Sequence, residues 1–303
     1  MVNDKKIVRI LRILPVSGLA VTLLAGCDTV AQGSNNGPHA ASQSSKTVTI
    51  GYVTWTEDVA LSYLWQNLLE KKGYNVQLEQ MVTGPLYLGV STGDISVHLD
   101  AWLPYTDQNY IKQYGSNLTD LGTWYQGPAK IGIAVPSYVT DVNSLDQLAA
   151  HAKEFGNQVV GIDPGSGEME VIQKSMQAYG LNSMQLVSGS ETTMLSALKA
   201  AYAAHKPIAV TLWSPHWAFS QWQLKYLADP KGTMGHDERI DIEANKTWAA
   251  QNPEPAKWFR NFKLTPDQLG QLEIDINHAP TTQAGVEKWV QSNQNLVNSW
   301  FRS

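Results

Sequence analysis

Short apolar runs that are rich in β-branched residues alternate with amphipathic segments along most of this chain of 303 residues. Runs of this length and composition are typical of strands, whereas apolar residues spaced by three or four positions are typical of helices. The predicted strands are 48–55, 75–78, 95–102, 130–135, 159–162, 185–187 and 208–213. The predicted helices are 57–72, 85–91, 144–148, 168–179, 192–205, 265–275 and 282–300. Such an alternation is typical of α/β proteins.

The strand–helix alternation forms two series, which join around residues 135–140 and again near residue 214. Two series predict two α/β lobes between which the chain crosses twice. We assign residues 47–138 and 215–303 to lobe I and residues 139–214 to lobe II. A cleft between hinged lobes, which closes on its ligand, is the expected binding site.

Composition and charge exclude several classes of protein. A hydrophobic fraction of 43% and a charged fraction of 16% describe a chain that can build a full core. A net charge of -5 provides no basic surface for nucleic acid and argues against a polybasic membrane patch.

The N-terminus has the pattern of an export signal. Four basic residues precede a short apolar run at 13–24, which is too short to span a membrane. The run ends in Leu-Ala-Gly-Cys, which is similar to a bacterial lipobox and predicts lipidation of Cys27, the one cysteine of the chain. We therefore expect a signal peptide at 1–26, a flexible tether at 27–46 and a lipid anchor on the extracellular face of the cell membrane.

Three of the predicted strands carry a tryptophan at or near their carboxyl ends: Trp55, Trp102 and Trp213. Ligands of open α/β sheets bind outside the carboxyl ends of the strands. Tryptophan is the best cation–π partner, and aromatic cages are the usual means of holding a quaternary ammonium group. The three rings predict a pocket for a cationic, methylated small molecule. Packing in the core is the alternative, and it is expected for most of the 11 tryptophans.

A glycine-rich turn at 161–167 (Gly-Ile-Asp-Pro-Gly-Ser-Gly) leads from a predicted strand into a predicted helix. Backbone amides at a helix N-terminus form an anion site, here with the amides of Gly167 and Glu168 as candidates for a carboxylate. The turn lacks the Lys-Ser/Thr ending of a P-loop and the third glycine of a dinucleotide fingerprint, which argues against a nucleotide. A tight turn that needs glycine for a positive φ is the alternative.

Four segments together carry a family resemblance: 51–55 (Gly-Tyr-Val-Thr-Trp), 100–104 (Asp-Ala-Trp-Leu-Pro), 161–167 and 213–217 (Trp-Ser-Pro-His-Trp). Over residues 47–302 the chain resembles the OpuAC-type glycine betaine-binding proteins of ABC importers. The resemblance implies a two-lobed periplasmic-binding-protein fold of type II, with two crossovers and a ligand cleft between the lobes.

The resemblance also implies a binding mode. Trp55, Trp102 and Trp213 would enclose the trimethylammonium group of the ligand, and the amides of Gly167 and Glu168 would hold its carboxylate. The ligand would be glycine betaine or a related quaternary ammonium compound, delivered to an ABC permease and its ATPase for osmoprotection. No cofactor and no metal are implied. A protein of the same fold that prefers choline or carnitine is the alternative.

One position departs from the family pattern. Five residues after the tryptophan of Ala-Trp-Leu-Pro, the family has a histidine that binds the ligand carboxylate, whereas this chain has Asp107. An ionised aspartate would repel a carboxylate but could accept a hydrogen bond from a hydroxyl, as carried by choline and carnitine. Asp107 is therefore a candidate specificity residue, or else a side chain that points to solvent.

Three other classes of protein compete with this interpretation. An enzyme could use His98, Asp100 and His216, but the chain has no Gly-x-Ser-x-Gly elbow and no His-Glu-x-x-His motif. A metal-binding lipoprotein could use the acidic stretch at 236–243, for which a solvated surface is the simpler expectation. A binding protein for another solute would need a charged side chain to pair with its ligand.

Overall fold

The computed structural model describes residues 46–302, which form two five-stranded sheets covered by helices. The predicted signal peptide, Cys27 and nearly all of the tether lie outside the described residues. The strands are β1 (Thr47–Tyr52), β2 (Asn75–Gln80), β3 (Val97–Leu103), β4 (Leu118–Thr123), β5 (Lys130–Pro136), β6 (Gln158–Val160), β7 (Gln185–Val187), β8 (Val210–Ser214), β9 (Leu224–Tyr226) and β10 (Arg239–Asn245).

Within residues 46–302, the helices include all of the predicted ones and four that were not predicted, at 108–114, 218–221, 246–251 and 253–261. The full set is α1 (Thr56–Lys71), α2 (Thr83–Thr92), α3 (Gln108–Tyr114), α4 (Leu145–Leu148), α5 (Gly167–Ala178), α6 (Glu191–Ala203), α7 (Ala218–Gln221), α8 (Lys246–Gln251), α9 (Pro253–Asn261), α10 (Pro266–Asn277), α11 (Thr282–Ser292) and α12 (Gln294–Trp300). The predicted helix 282–300 is two helices, which divide at Asn293, where the backbone leaves the helical conformation (φ −118°, ψ 28°). The side-chain amide of Asn293 donates to the Trp289 carbonyl oxygen at 2.9 Å.

The first sheet has the strand order β2-β1-β3-β10-β4. Strand β1 pairs in parallel with β2 and β3, and β10 runs antiparallel between β3 and β4. All seven residues of β3 are buried, as expected for a strand that has both faces covered. Helices α10 and α11 pack against α1, so the C-terminal part of the chain returns to this lobe.

The second sheet has the order β7-β6-β8-β5-β9 and defines the second lobe. The predicted lobe boundaries near residues 138 and 214 do not match it. Strand β5 pairs antiparallel with β8 and β9, so all three strands belong to the second lobe. The chain crosses between the sheets at 124–129 and 227–238, and Ala129 of the first crossing pairs with Glu238 of the second.

The acidic stretch before and within β10 is not the solvated surface that its composition predicts. Asp241 and Glu243 are buried, because β10 lies in the interior of the first sheet between β3 and β4. Glu238, in the segment before β10, is buried where its carboxyl accepts from the amides of Tyr105 and Thr106 and from the Thr106 hydroxyl. Among residues 46–302, no group of three or more His, Cys, Asp or Glu side chains is arranged to hold a metal ion.

Candidate ligand-binding site

The three tryptophans reach one place from two sheets. Trp55 follows β1 and occupies the N-cap position of α1, Trp102 is the penultimate residue of β3, and Trp213 is the penultimate residue of β8. Each is buried, with at most 9% of its surface exposed. The ring centroids of Trp55 and Trp213 are 6.1 Å apart and their planes form an angle of 51°. Rings from both lobes therefore face each other.

A small cavity lies between these rings, with about 240 Å³ of atom-free space including its opening. From the first lobe it is lined by Trp55, Glu57, Trp102 and Thr106, and from the second by Ile131, Ile162, Glu168 and Trp213. The predicted site residues Trp55, Trp102, Trp213 and Glu168 are thus brought together in the cleft. Aromatic and apolar walls with few polar groups are typical of small-molecule sites.

Hydrogen bonds that Trp102 donates to two aspartates fix its position. Its indole Nε1 donates to Oδ1 of Asp100 at 3.0 Å, and its backbone amide donates to Oδ2 of Asp107 at 2.9 Å. Both carboxyls are buried. A ring held in this way is pre-organised for a ligand, because little conformational freedom remains to be lost on binding.

The N-terminus of α5 provides two backbone donors next to the cavity. Ser166 is the N-cap residue, and its side chain accepts from the Met169 amide at 3.2 Å. The amides of Gly167 and Glu168 are buried, and no acceptor for them is found among the described residues. Unpaired amides in the first turn of a helix are the usual anion-binding groups.

Gly167 is needed for a close approach rather than for a special backbone angle. No glycine of the turn 161–167 has a positive φ, so the tight-turn alternative does not account for them. A Cβ added to Gly167 would overlap the carbonyl oxygen of Thr106 and lie 2.8 Å from Oδ1 of Asp107. Thr106 and Asp107 follow β3 in the first lobe, so this glycine lets the second lobe approach the first.

Asp107 lies beside the backbone of Trp102 and does not line the cavity. Its Oδ2 also accepts from the Tyr87 hydroxyl at 3.0 Å, and its Oδ1 has no partner among residues 46–302. Burial raises the pKa of Asp107 to about 7, although the hydrogen bonds from Trp102 and Tyr87 oppose that shift. Only 2% of Asp107 is exposed, which excludes the expectation that its side chain points to solvent.

Two carboxyls project into the cavity, and only one of them was noted from the sequence. Glu57, two positions after Trp55, and Glu168 are almost completely buried. Burial, reinforced by neighbouring acidic groups, raises the pKa of each well above the usual range. The signal for Glu57 was its place at the start of α1, directly beside a site tryptophan.

Polar contacts join the two lobes around the cavity. The backbone amide of Thr56 donates to Oε2 of Glu191 at 3.0 Å, and the Thr56 hydroxyl donates to Oε1 at 2.5 Å. Nε2 of His216 lies 3.1 Å from the same Oε1. Thr56 begins α1 of the first lobe, whereas Glu191 begins α6 of the second. His216, one of the residues considered for catalysis, thus supports a contact between lobes.

The other candidate catalytic groups are buried beneath the site. Burial lowers the pKa of His98 to about 4, so its ring is neutral at physiological pH. Its Nδ1 lies 3.4 Å from the Gly51 carbonyl oxygen. Asp100 is engaged by the Trp102 indole. These residues hold the walls of the cavity.

Residues 46–292 match the family model OpuAC, the substrate-binding domain of ABC-type glycine betaine transport systems. This chain belongs to the OpuAC family. The match confirms the resemblance inferred from the four sequence segments. It is a family of substrate-binding transport proteins and not of enzymes.

Individual relatives agree with the family. A solved structure of lactococcal OpuAC, in a closed-liganded conformation complexed with glycine betaine, is 33% identical, with a TM-score of 0.79, and the match covers 84% of this chain and 99% of that one. Glycine betaine/carnitine transport binding protein GbuC of Listeria monocytogenes serotype 1/2a (strain 10403S) is 31% identical over 154 residues, which cover 49% of this chain and about half (51%) of GbuC. Glycine betaine-binding periplasmic protein OusX of Dickeya dadantii (strain 3937) is 24% identical over 82% of this chain and 87% of OusX.

These matches confirm the predicted two-lobed α/β fold of a periplasmic binding protein and its role as a substrate-binding protein of an ABC transporter for betaine-type compounds. Among the helices of the described part of the chain, none is long and apolar enough to cross a membrane.

Proposed function

We propose that this protein encloses a quaternary ammonium compound of the glycine betaine type between its lobes and delivers it to an ABC permease and its ATPase. The observation that carries the proposal is the convergence of Trp55, Trp102 and Trp213, from both sheets, on one buried cavity. A desolvated cation gains on the order of 1–2 kcal/mol from a favourably placed aromatic ring. Three rings therefore supply enough energy to select a weakly hydrated cation.

In the proposed binding mode the trimethylammonium group lies among the three indoles. The other end of the ligand lies at the N-terminus of α5, where the amides of Gly167 and Glu168 donate to an oxygen of the ligand. Glycine betaine would present its carboxylate there, as the family resemblance implies. Asp107 would act through its hydrogen bond to the Trp102 backbone.

The proposed location is the extracellular face of the bacterial cell membrane, with a lipid anchor at Cys27 that follows a signal peptide at 1–26. The lipobox-like sequence supports this proposal. The presence or absence of a diacylglyceryl group on Cys27 of the mature protein, read by intact-mass spectrometry, tests it.

Replacement of each site tryptophan by alanine tests the pocket. Trp55→Ala, Trp102→Ala and Trp213→Ala are each expected to weaken binding of the preferred ligand about tenfold or more, since each removes one face of the cation site. The measurement is isothermal titration calorimetry with glycine betaine and with choline. Trp222→Ala is the control, because this half-buried side chain lies outside the cavity.

The control should retain the affinity of the unmodified protein. Thermal unfolding of each variant separates loss of binding from loss of folding. Unchanged affinity in two of the three site variants would show that the tryptophans do not form the binding site.

A further inference from the structure

The cavity contains buried carboxyl oxygens that have no hydrogen-bond partner among residues 46–302. Both oxygens of Glu57 and Oε1 of Glu168 are of this kind, and both side chains line the cavity. The two residues are 1% and 3% exposed, so solvent does not compensate for the missing partners. A buried polar group without a partner is unfavourable, and more so when it is charged. The free oxygen of Glu168, which lies at the start of α5 beside the unpaired amides, points to a ligand group that donates a hydrogen bond to it.

Glu168 brings both a donor and an acceptor to the cavity. Glu168 presents a free backbone amide, which donates, and a carboxyl oxygen, which accepts when ionised. The carboxylate of a zwitterionic ligand only accepts hydrogen bonds, so it would satisfy the amides but face the carboxyl. A hydroxyl both donates and accepts. A ligand hydroxyl would therefore pair with both the backbone amide and the carboxylate of Glu168.

The charge around the cavity has one sign. Among the described residues that line the cavity, none is a lysine or an arginine. The groups that act electrostatically on Glu168 are Glu191 of α6 and Glu238 of the second crossing, and Tyr226 of β9 also lies close to it. Glu57 of α1 shares the cavity. A ligand with a net positive charge is favoured in such surroundings, whereas a ligand carboxylate is repelled.

Building on the proposed function, we propose that Glu168 is a specificity residue that adapts this site to a quaternary ammonium alcohol, of which choline is the simplest. The cation lies among the tryptophans, as before. The hydroxyl donates to the Glu168 carboxylate and accepts from an amide of the first turn of α5. The preference is therefore for a cation with a hydroxyl over a zwitterion with a carboxylate.

Wild-type affinities provide the first test. The purified protein is titrated by calorimetry with choline, glycine betaine and tetramethylammonium at pH 6 and pH 8. We expect choline to bind at least tenfold more tightly than glycine betaine at pH 8. The preference should shrink at pH 6, because burial raises the pKa of Glu168 and protonation removes its negative charge. Tetramethylammonium, which lacks the hydroxyl, should bind more weakly than choline.

Glu168→Gln provides the second test, because it removes the charge and keeps the size and the backbone amide. It should lower the ratio of choline to glycine betaine affinity about tenfold, and it should weaken choline more than tetramethylammonium. Glu79→Gln, an exposed glutamate of β2 outside the cavity, is the control and should leave the ratio unchanged. If Glu168→Gln does not fold, the wild-type ratios and their pH dependence decide.

Two outcomes would overturn the proposal. Glycine betaine bound more tightly than choline at both pH values would mean that the protonated carboxyl donates to a ligand carboxylate. A ratio of choline to glycine betaine affinity that is unaffected by Glu168→Gln would show that the Glu168 side chain does not determine specificity. Absence of binding of all three compounds is a different result, because it would refute the proposed function itself.

Discussion

At the scale of single residues, Asp107 shows how an aspartate in place of a histidine changes the role of a side chain. The family pattern has a carboxylate-binding histidine there, whereas Asp107 accepts hydrogen bonds from the Trp102 amide and the Tyr87 hydroxyl. Its contribution is to hold a wall of the cavity. A side chain that acts in this way should matter through its hydrogen bonds more than through its charge.

Paired variants of Asp107 test that role. Asp107→Asn keeps an oxygen that can accept from Trp102 and Tyr87, so ligand affinity and stability should change little. Asp107→Ala leaves both donors buried without a partner and should lower the free energy of unfolding by about 1–3 kcal/mol. It should also weaken binding, as Trp102 loses its support. Urea unfolding and calorimetric titration measure the two effects.

Tyr87→Phe is the companion control, because it removes one of the two donors and should cost less than Asp107→Ala. If Asp107→Asn weakened binding as strongly as Asp107→Ala, the charge of the aspartate would be the relevant property. Asp107 would then act on the ligand directly and not through Trp102.

At the scale of elements, the N-terminus of α5 combines three features that belong together. The Ser166 cap ends the turn, the amides of Gly167 and Glu168 find no acceptor within residues 46–302, and the missing Cβ of Gly167 leaves room for the segment after β3. The tyrosine hydroxyl of Tyr110 in α3 also donates to the Gly165 carbonyl oxygen. One helix start thus contacts the opposite lobe and lines the cleft.

Gly167→Ala should separate binding from folding. The added methyl group overlaps the Thr106 carbonyl oxygen, which belongs to the other lobe, so the lobes can avoid the overlap by staying apart. We expect ligand affinity to fall about tenfold or more while the thermal unfolding temperature of the unliganded protein changes little. Small-angle scattering with ligand should show a less compact molecule than the wild type.

Gly270→Ala in α10 is the matched control, because a Cβ there meets open space and alanine favours a helix. It should keep affinity and should not lose stability. Normal ligand affinity in Gly167→Ala would mean that the close approach to Thr106 is not part of the binding conformation.

At the scale of the whole molecule, buried acidic side chains link stability to pH. Burial raises the pKa of Asp58, Glu243 and Glu273 to about 8. In the unfolded chain these carboxyls titrate near pH 4. The folded protein therefore holds more protons than the unfolded chain up to about pH 8, and its free energy of unfolding falls as pH rises.

His98 acts in the opposite sense at lower pH. Its pKa is lowered to about 4, so between about pH 4 and its unfolded value near 6.5 the unfolded chain binds the additional proton. In that range the histidine partly cancels the effect of the carboxyls. The decline in stability is therefore expected to be clearest between about pH 6.5 and pH 8.

The prediction is a lower free energy of unfolding at pH 8 than at pH 6.5, measured by urea unfolding without ligand. Glu273→Gln should flatten the dependence, because it removes one of the three groups and Glu273 lies outside the ligand cavity. Stability that is constant or rises over this interval would show that these carboxyls are ionised in the folded state.

The local sequence pattern was sufficient for most of the strands and helices. Runs such as those of β1, β5 and β8 are apolar and short, and the starts of α5, α6 and α10 carry side-chain caps. Strand β10 was missed because its acidic residues indicate a solvated surface. Only its insertion between β3 and β4 buries them.

The sequence by itself determined the α/β class, the family, the three tryptophans and the helix start at 167–168, because these depend on local periodicity and on short motifs. The tertiary structure alone decided where the lobes divide, that Asp107 accepts a hydrogen bond from the Trp102 backbone, and that Glu57 and Glu168 share the cavity with oxygens that have no partner in the described part of the chain. The reason is physical. Strand pairing and the approach of two lobes bring together residues far apart in the chain, and burial, which only those contacts create, sets the pKa and the role of each carboxyl.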